Sequence, residues 1–151
     1  SRGVAKLSDF GISRQLESTQ GVAITQVGTS MYMAPERLTG QAYSFPSDVW
    51  SIGVIVMEGL TGRHPFADAK SFMSLHAAIM VKPAPVPPGG TPPDVAEFID
   101  LCFRKEPNGR TGRPPVRTLL SGSWLQHWQG ANPEAETSRT VMSFPFLYFF
   151  M

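Results

Sequence analysis

Apolar residues fall into a few stretches whose spacing and polar flanks predict a mainly helical chain. The first stretch is short: Val4, Ala5 and Leu7 read as a short buried strand. From Arg14 to Ser30 the periodicity fades into Ser, Thr, Gln and Gly, which predicts a long loop, the kind of segment that commonly carries function. Ala34 to Leu38 reads as a short helix with Pro35 in its first turn, where a missing amide hydrogen costs little. Ser47 to Leu60 follows as the strongest helix, with Ser47 as its cap. Its apolar residues Val49, Trp50, Ile52, Val54, Ile55, Val56, Met57 and Leu60 lie on every side, which predicts burial all round. Lys70 to Val81 reads as a second helix, ended by KPAPVPPGGTPP, an extended connector short of amide donors. Pro93 to Lys105 is a third, with Val95, Phe98, Ile99, Leu101 and Cys102 inward, and Pro114 to Trp124 a fourth. The chain shows no internal repeat and no domain boundary before about Trp128.

Composition narrows the classes of partner. With 151 residues, 42% hydrophobic and 17% charged, the chain can bury one sizeable core and reads as a soluble globular domain. A net charge of +1 argues against a nucleic-acid or membrane-surface platform. Cys102 alone cannot build an intrachain disulfide framework, so a reducing, cytoplasmic setting is expected. No basic-then-apolar leader is visible, and the apolar run Val49 to Leu60 is too short to span a bilayer. Cys102, His64, His76 and His127 lack metal-ligand spacing; Cys102 is expected in the core and the histidines on the surface or in loops.

Three strings in fixed order change the picture. Asp9-Phe10-Gly11 follows the opening strand, and an Asp-to-Gly turn there needs no chemistry by itself. GTSMYMAPERL, Gly28 to Leu38, comes next with Ala34-Pro35-Glu36, and SDVWSIGV, Ser47 to Val54, opens the long helix. Together they resemble the activation segment and following helix of a protein kinase. DFGISRQL with GTSMYMAPERL is most similar to the mitogen-activated protein kinase kinases, which phosphorylate Thr and Tyr in a downstream kinase. The resemblance covers Val4 to about Leu125 and implies the C-terminal lobe of the α+β kinase fold. Residues 1–128 are then a partial kinase domain, and residues 129–151 an atypical tail that is disordered or artefactual.

The resemblance assigns roles residue by residue. Asp9 would ligate the magnesium that bridges the phosphates of ATP, since a hard divalent cation takes carboxylate oxygen. Phe10 would pack inward and set the active or inactive state, and Gly11 would permit the backbone turn; with Asp9 they form the ATP and Mg2+ site. Thr29 would hydrogen-bond near the catalytic aspartate, its alternative being a plain loop hydroxyl. Ser30, Met31, Tyr32 and Met33 would face the substrate residue just beyond the acceptor. Glu36 would pair with an arginine late in the domain and anchor the loop. KEPNGRTGRP leaves two candidates, Arg110 by distance from Pro107 and Arg113 by its following Pro114; Arg113 is favoured because RPPVRTLLSGSWL then falls into the family's register. Asp48 would orient the catalytic loop from below, with an N-terminal capping carboxylate as its alternative. Thr19 and Thr25, with five residues between them, would be the activation-loop phosphosites.

The sequence contains no G-x-G-x-x-G loop, no H-R-D string and no V-A-I-K-type strand lysine to hold the phosphates. VAIT, Val22 to Thr25, superficially resembles the lysine motif V-A-I-K, but it ends in threonine and follows D-F-G, where the lysine strand cannot lie. The chain is therefore expected to be inactive alone, as the C-terminal half of a kinase or, alternatively, as a non-catalytic binding or decoy module. Its implied partners are a protein substrate of mitogen-activated protein kinase type and an upstream activating kinase. FPFLYFFM, Phe144 to Met151, carries five aromatics in eight residues; an artefact of reading frame, a hydrophobic docking motif and packing onto the domain are all open for it.

Overall fold

A computed structural model describes residues 30–41 and 45–129. Six helices lie among them: α1 (Pro35–Leu38), α2 (Phe45–Thr61), α3 (Phe72–Met80), α4 (Pro93–Cys102), α5 (Val116–Leu120) and α6 (Ser123–Gln129). There is no strand among the described residues, so the mainly helical expectation holds. The predicted strand at Val4 to Leu7, the loop up to Thr29 and the tail from residue 130 lie outside them.

α2 packs against α4 and α5, while α1 contacts α3 and α6 contacts both α4 and α5. Its core side chain is Trp50, fully buried, which stacks parallel to Phe66 at 6.3 Å and meets Phe103 edge-on at 5.1 Å. Such ring pairs add stability beyond the area they bury. Val54, Met57, Leu75, Ile79, Ile99 and Phe103 are among the other members of this cluster. A smaller one joins Val49, Phe98, Cys102 and Leu119, with Trp124 edge-on to Phe98 at 4.7 Å.

Several boundaries differ from the sequence reading, each for a local reason. α2 begins at Phe45, so Ser47 lies inside the first turn rather than capping it; its hydroxyl donates to Glu36 Oε1 at 2.7 Å, because a buried carboxylate needs donors. The helix is not buried all round: Ile52 and Ile55 are exposed, Ile55 by 57%. α3 starts one residue after Ser71, whose side chain accepts from the Ser74 amide while Ser74 reaches back to the Ser71 amide, a reciprocal cap that fixes the start. At its other end Lys105 Nζ donates to the carbonyls of Met80 and Lys82, so the residue expected to finish the third helix closes α3 instead. α4 stops at Cys102. The expected fourth helix is two, α5 and α6, broken at Ser121 and Gly122, where the Gly122 amide bonds back to the Leu119 carbonyl.

Gly53 lets α2 and α4 approach: a Cβ there would stand 2.6 Å from Cys102 Cβ. That neighbour is the root of a side chain on a packed helix and moves only with its backbone. Gly53→Ala gains about 1 kcal/mol of helix propensity but forces the helices apart at a cost of roughly 1–3 kcal/mol. The expected result is a lower unfolding midpoint in a denaturant titration of the chain; a higher one would show that α4 yields freely.

Candidate functional site

The described part of the site is a loop, residues 30–33, held between an anchor on one side and α2 on the other. The anchor is Glu36 in α1 with Arg113. Arg113 Nη2 donates to Glu36 Oε1 at 2.5 Å, with both side chains almost fully buried, at 0% and 4% exposure. The rest of the guanidinium is spent on backbone: Nε donates to the Pro46 carbonyl at 2.8 Å and Nη1 to the Arg104 carbonyl at 2.7 Å. Its centre lies 5.7 Å from the Trp50 ring centroid. Arg113 thus ties together α1, the first turn of α2 and the exit from α4, a fork that a lysine could not reproduce. Of the two candidate arginines the structure places Arg113 on Glu36, whereas Arg110 is exposed. Glu36 Oε2 is buried with no hydrogen-bond partner among the described residues.

Ser30 is buried, and Met31, Tyr32 and Met33 are half-buried against the main cluster. The Met33 amide closes a turn onto the Ser30 carbonyl at 3.0 Å. α2 then grips Tyr32 at two points: Ser51 Oγ donates to the Tyr32 carbonyl at 2.9 Å, and the Tyr32 hydroxyl donates to Glu58 Oε2 at 2.8 Å. Burial and the neighbouring Glu58 carboxylate push the Tyr32 hydroxyl up to about 12. The phenol therefore stays a donor throughout the physiological range. His64 lies perpendicular to the Tyr32 ring at 4.8 Å between centroids.

Asp48 sits half-buried in the first turn of α2, where burial raises its carboxyl from its ordinary value and the charge of Arg37 opposes that rise. Cys102 is a core thiol pushed up to about 12 by burial, and so unreactive as a nucleophile. Asp9, Phe10, Gly11, Thr19, Thr25 and Thr29 lie outside the described residues. Among the described residues no group of His, Cys, Asp and Glu could hold a metal ion, and no helix is long and apolar enough to cross a membrane.

Glu58 and His64 join the site without a motif to announce them, and Ser51 lies within the string SDVWSIGV, which assigned it no role. Glu58 does carry a signal in the sequence, as the one charge in the apolar run VIVMEGL. His64, expected at the surface or in a loop, is in a loop but half-buried with its ring facing inward onto Tyr32 and Phe66, because the turn after α2 folds it back.

The family model of the protein kinase domain matches residues 1–125. The chain is 41% identical over 117 residues to mitogen-activated protein kinase kinase 2 of Arabidopsis thaliana, covering 73% of this chain and 32% of that protein. It is 39% identical over 138 residues to mitogen-activated protein kinase kinase 1 of the same plant, covering 87% and 38%. Mitogen-activated protein kinase kinase 5 of Leishmania mexicana is 39% identical over 142 residues, with 89% and 26% covered. The chain spans about a quarter to two-fifths of the length of these relatives.

Proposed function

This chain belongs to the protein kinase domain family, and from that membership we propose that it is the C-terminal part of a kinase of the mitogen-activated protein kinase kinase type. In the longer polypeptide, the γ-phosphoryl group of ATP passes to Ser, Thr or Tyr of a downstream mitogen-activated protein kinase in the cytoplasm, after an upstream kinase has phosphorylated the loop. The observation that carries this reading is the buried Glu36–Arg113 pair beneath residues 30–33, which fixes a substrate-facing loop to the helical core. Kinases of this family generally use ATP with Mg2+, and Asp9, Phe10 and Gly11 are the residues proposed for that site. Magnesium supplies charge neutralisation of the transferring phosphoryl group. Residues 30–33 position the acceptor segment, Glu36 and Arg113 hold them in place, and Asp48 braces the catalytic loop. Because the chain contains no H-R-D string, Gly-rich loop or V-A-I-K-type lysine to hold the phosphates, a non-catalytic binding module is the second reading for the 151 residues by themselves.

The test is a phosphorylation assay of the longer polypeptide against an inactive mitogen-activated protein kinase. Transfer is expected from the longer polypeptide after treatment with its activator and not from the 151-residue chain; transfer by the chain above background would refute the division of labour. Phosphates on Thr19 and Thr25 each bring roughly 1.5 to 2 negative charges that arginines can pair with. Alanine at both positions is therefore expected to block activation. Modification mapped only to Ser13 or Ser18 would overturn that assignment.

A further inference from the structure

The turn after α2 carries an imidazole whose surroundings specify its orientation. Gly62, with φ of +68°, ends the helix, and His64 Nδ1 accepts from the Phe66 amide at 3.1 Å. A ring accepting at Nδ1 carries its hydrogen on Nε2 when neutral. That Nε2 is buried with no hydrogen-bond partner among the described residues, so the ring is held in place without gaining a bond at its far end. Its other neighbours are rings: Tyr32 at 4.8 Å and 84°, and Phe66 at 5.9 Å. Tyr32 itself is tied at its two ends, carbonyl to Ser51 and hydroxyl to Glu58, and those bonds leave the flank of its ring to packing.

We propose that His64 is a positioning residue: it braces the Tyr32 ring and so sets how residues 30–33 are presented to the polypeptide substrate. This rests on the reading of residues 30–33 as substrate-facing. The bond from Phe66 aims the imidazole, and the perpendicular contact, favoured by the quadrupoles of the two rings, holds the phenol against Glu58. Burial lowers the imidazole's affinity for protons while the Glu58 charge opposes this, and the balance lies below the usual histidine value, which keeps Nδ1 free to accept at neutral pH. An alternative role confined to tying the turn makes a different demand, for the acceptor and not the ring.

Two substitutions separate these roles. His64→Asn keeps a side-chain acceptor near the Nδ1 position and loses the ring; His64→Phe keeps a ring and loses the acceptor. In the activated longer polypeptide, His64→Asn is expected to raise KM for the polypeptide substrate about three- to tenfold, the range an aromatic edge contact supplies. KM for ATP should be unchanged, and His64→Phe should restore most of the polypeptide KM. Normal kinetics in the Asn variant with a loss in the Phe variant would reduce His64 to a turn tie and overturn the proposal, as would parallel changes in both KM values. A second readout needs no activity: in the 151-residue chain, titration of the Tyr32 ring followed by carbon-13 NMR. His64→Asn should hydrate the phenol and bring its midpoint down from about 12 toward its usual value near 10, and an unmoved midpoint would overturn the brace. If the unsubstituted longer polypeptide transfers no phosphate, the kinase reading falls, while the Tyr32 titration still decides whether His64 braces Tyr32.

Discussion

Arg113→Ala is expected to lower the stability of the chain by roughly 3–5 kcal/mol, the usual consequence of leaving one member of a buried ion pair unpaired. The geometry argues for the upper part of that range. Glu36 would keep only the Ser47 hydroxyl as a donor to Oε1, and its Oε2 already has no partner among the described residues. The carbonyls of Pro46 and Arg104 would each lose the donor that Arg113 supplies in the same step. Since whole domains are stable by only about 5–15 kcal/mol, this variant should be largely unfolded at temperatures the parent chain tolerates. Arg110→Ala, at an exposed position, should stay within about 0.5 kcal/mol of the parent. Arg113→Lys should recover little, because an ammonium cannot serve a carboxylate and two carbonyls set out for a planar fork. Thermal melts followed by circular dichroism would decide the ranking, and a larger loss from Arg110→Ala than from Arg113→Ala would refute it. A Glu36→Gln/Arg113→Met pair should cost less than the two single losses added together, since no charge is then stranded.

Periodicity reveals where the helices are because that information is local. α2, α3 and α4 fall close to the stretches marked by apolar spacing, and the Ser71–Ser74 cap and the proline-rich connector fix edges that short-range chemistry can fix. What the pattern misses depends on distant partners. Ser47 has the composition of a cap, yet its hydroxyl is drawn to Glu36, eleven residues earlier in the chain. Lys105 reads as the tail of a helix, yet it closes α3 across the fold. Ile52 and Ile55 read as core because the spacing of α2 shows how apolar it is and not which neighbours cover it. The site divides the same way. Its motifs are contiguous strings and are legible, and the resemblance to the family's register narrows the arginine facing Glu36 to two and favours Arg113; His64 meets Tyr32 only through the turn after α2, which no local pattern marks, while Glu58 reaches it from α2 itself.

Asp9→Asn in the longer polypeptide is expected to cut phosphoryl transfer by at least about a hundredfold, since a bound metal contributes several kcal/mol of transition-state charge stabilisation. The substitution is chosen for what it preserves. Asparagine matches aspartate in size, and its side-chain carbonyl accepts the same backbone hydrogen bonds that an Asp-to-Gly turn uses. If Asp9 were only a turn residue before Phe10 and Gly11, the variant would keep both its fold and its turnover. If Asp9 holds magnesium as proposed, it would have to bring charge as well as oxygen, because a hard divalent cation draws on the full negative charge of a carboxylate. Turnover should therefore fall at saturating substrate while the melting temperature and the buried Glu36–Arg113 anchor are unaffected. Raising magnesium should recover part of the loss if weakened metal binding is its source. Near-normal turnover of the variant at saturating magnesium would remove Asp9 from the metal site and leave it the turn residue that its three-residue string alone would suggest.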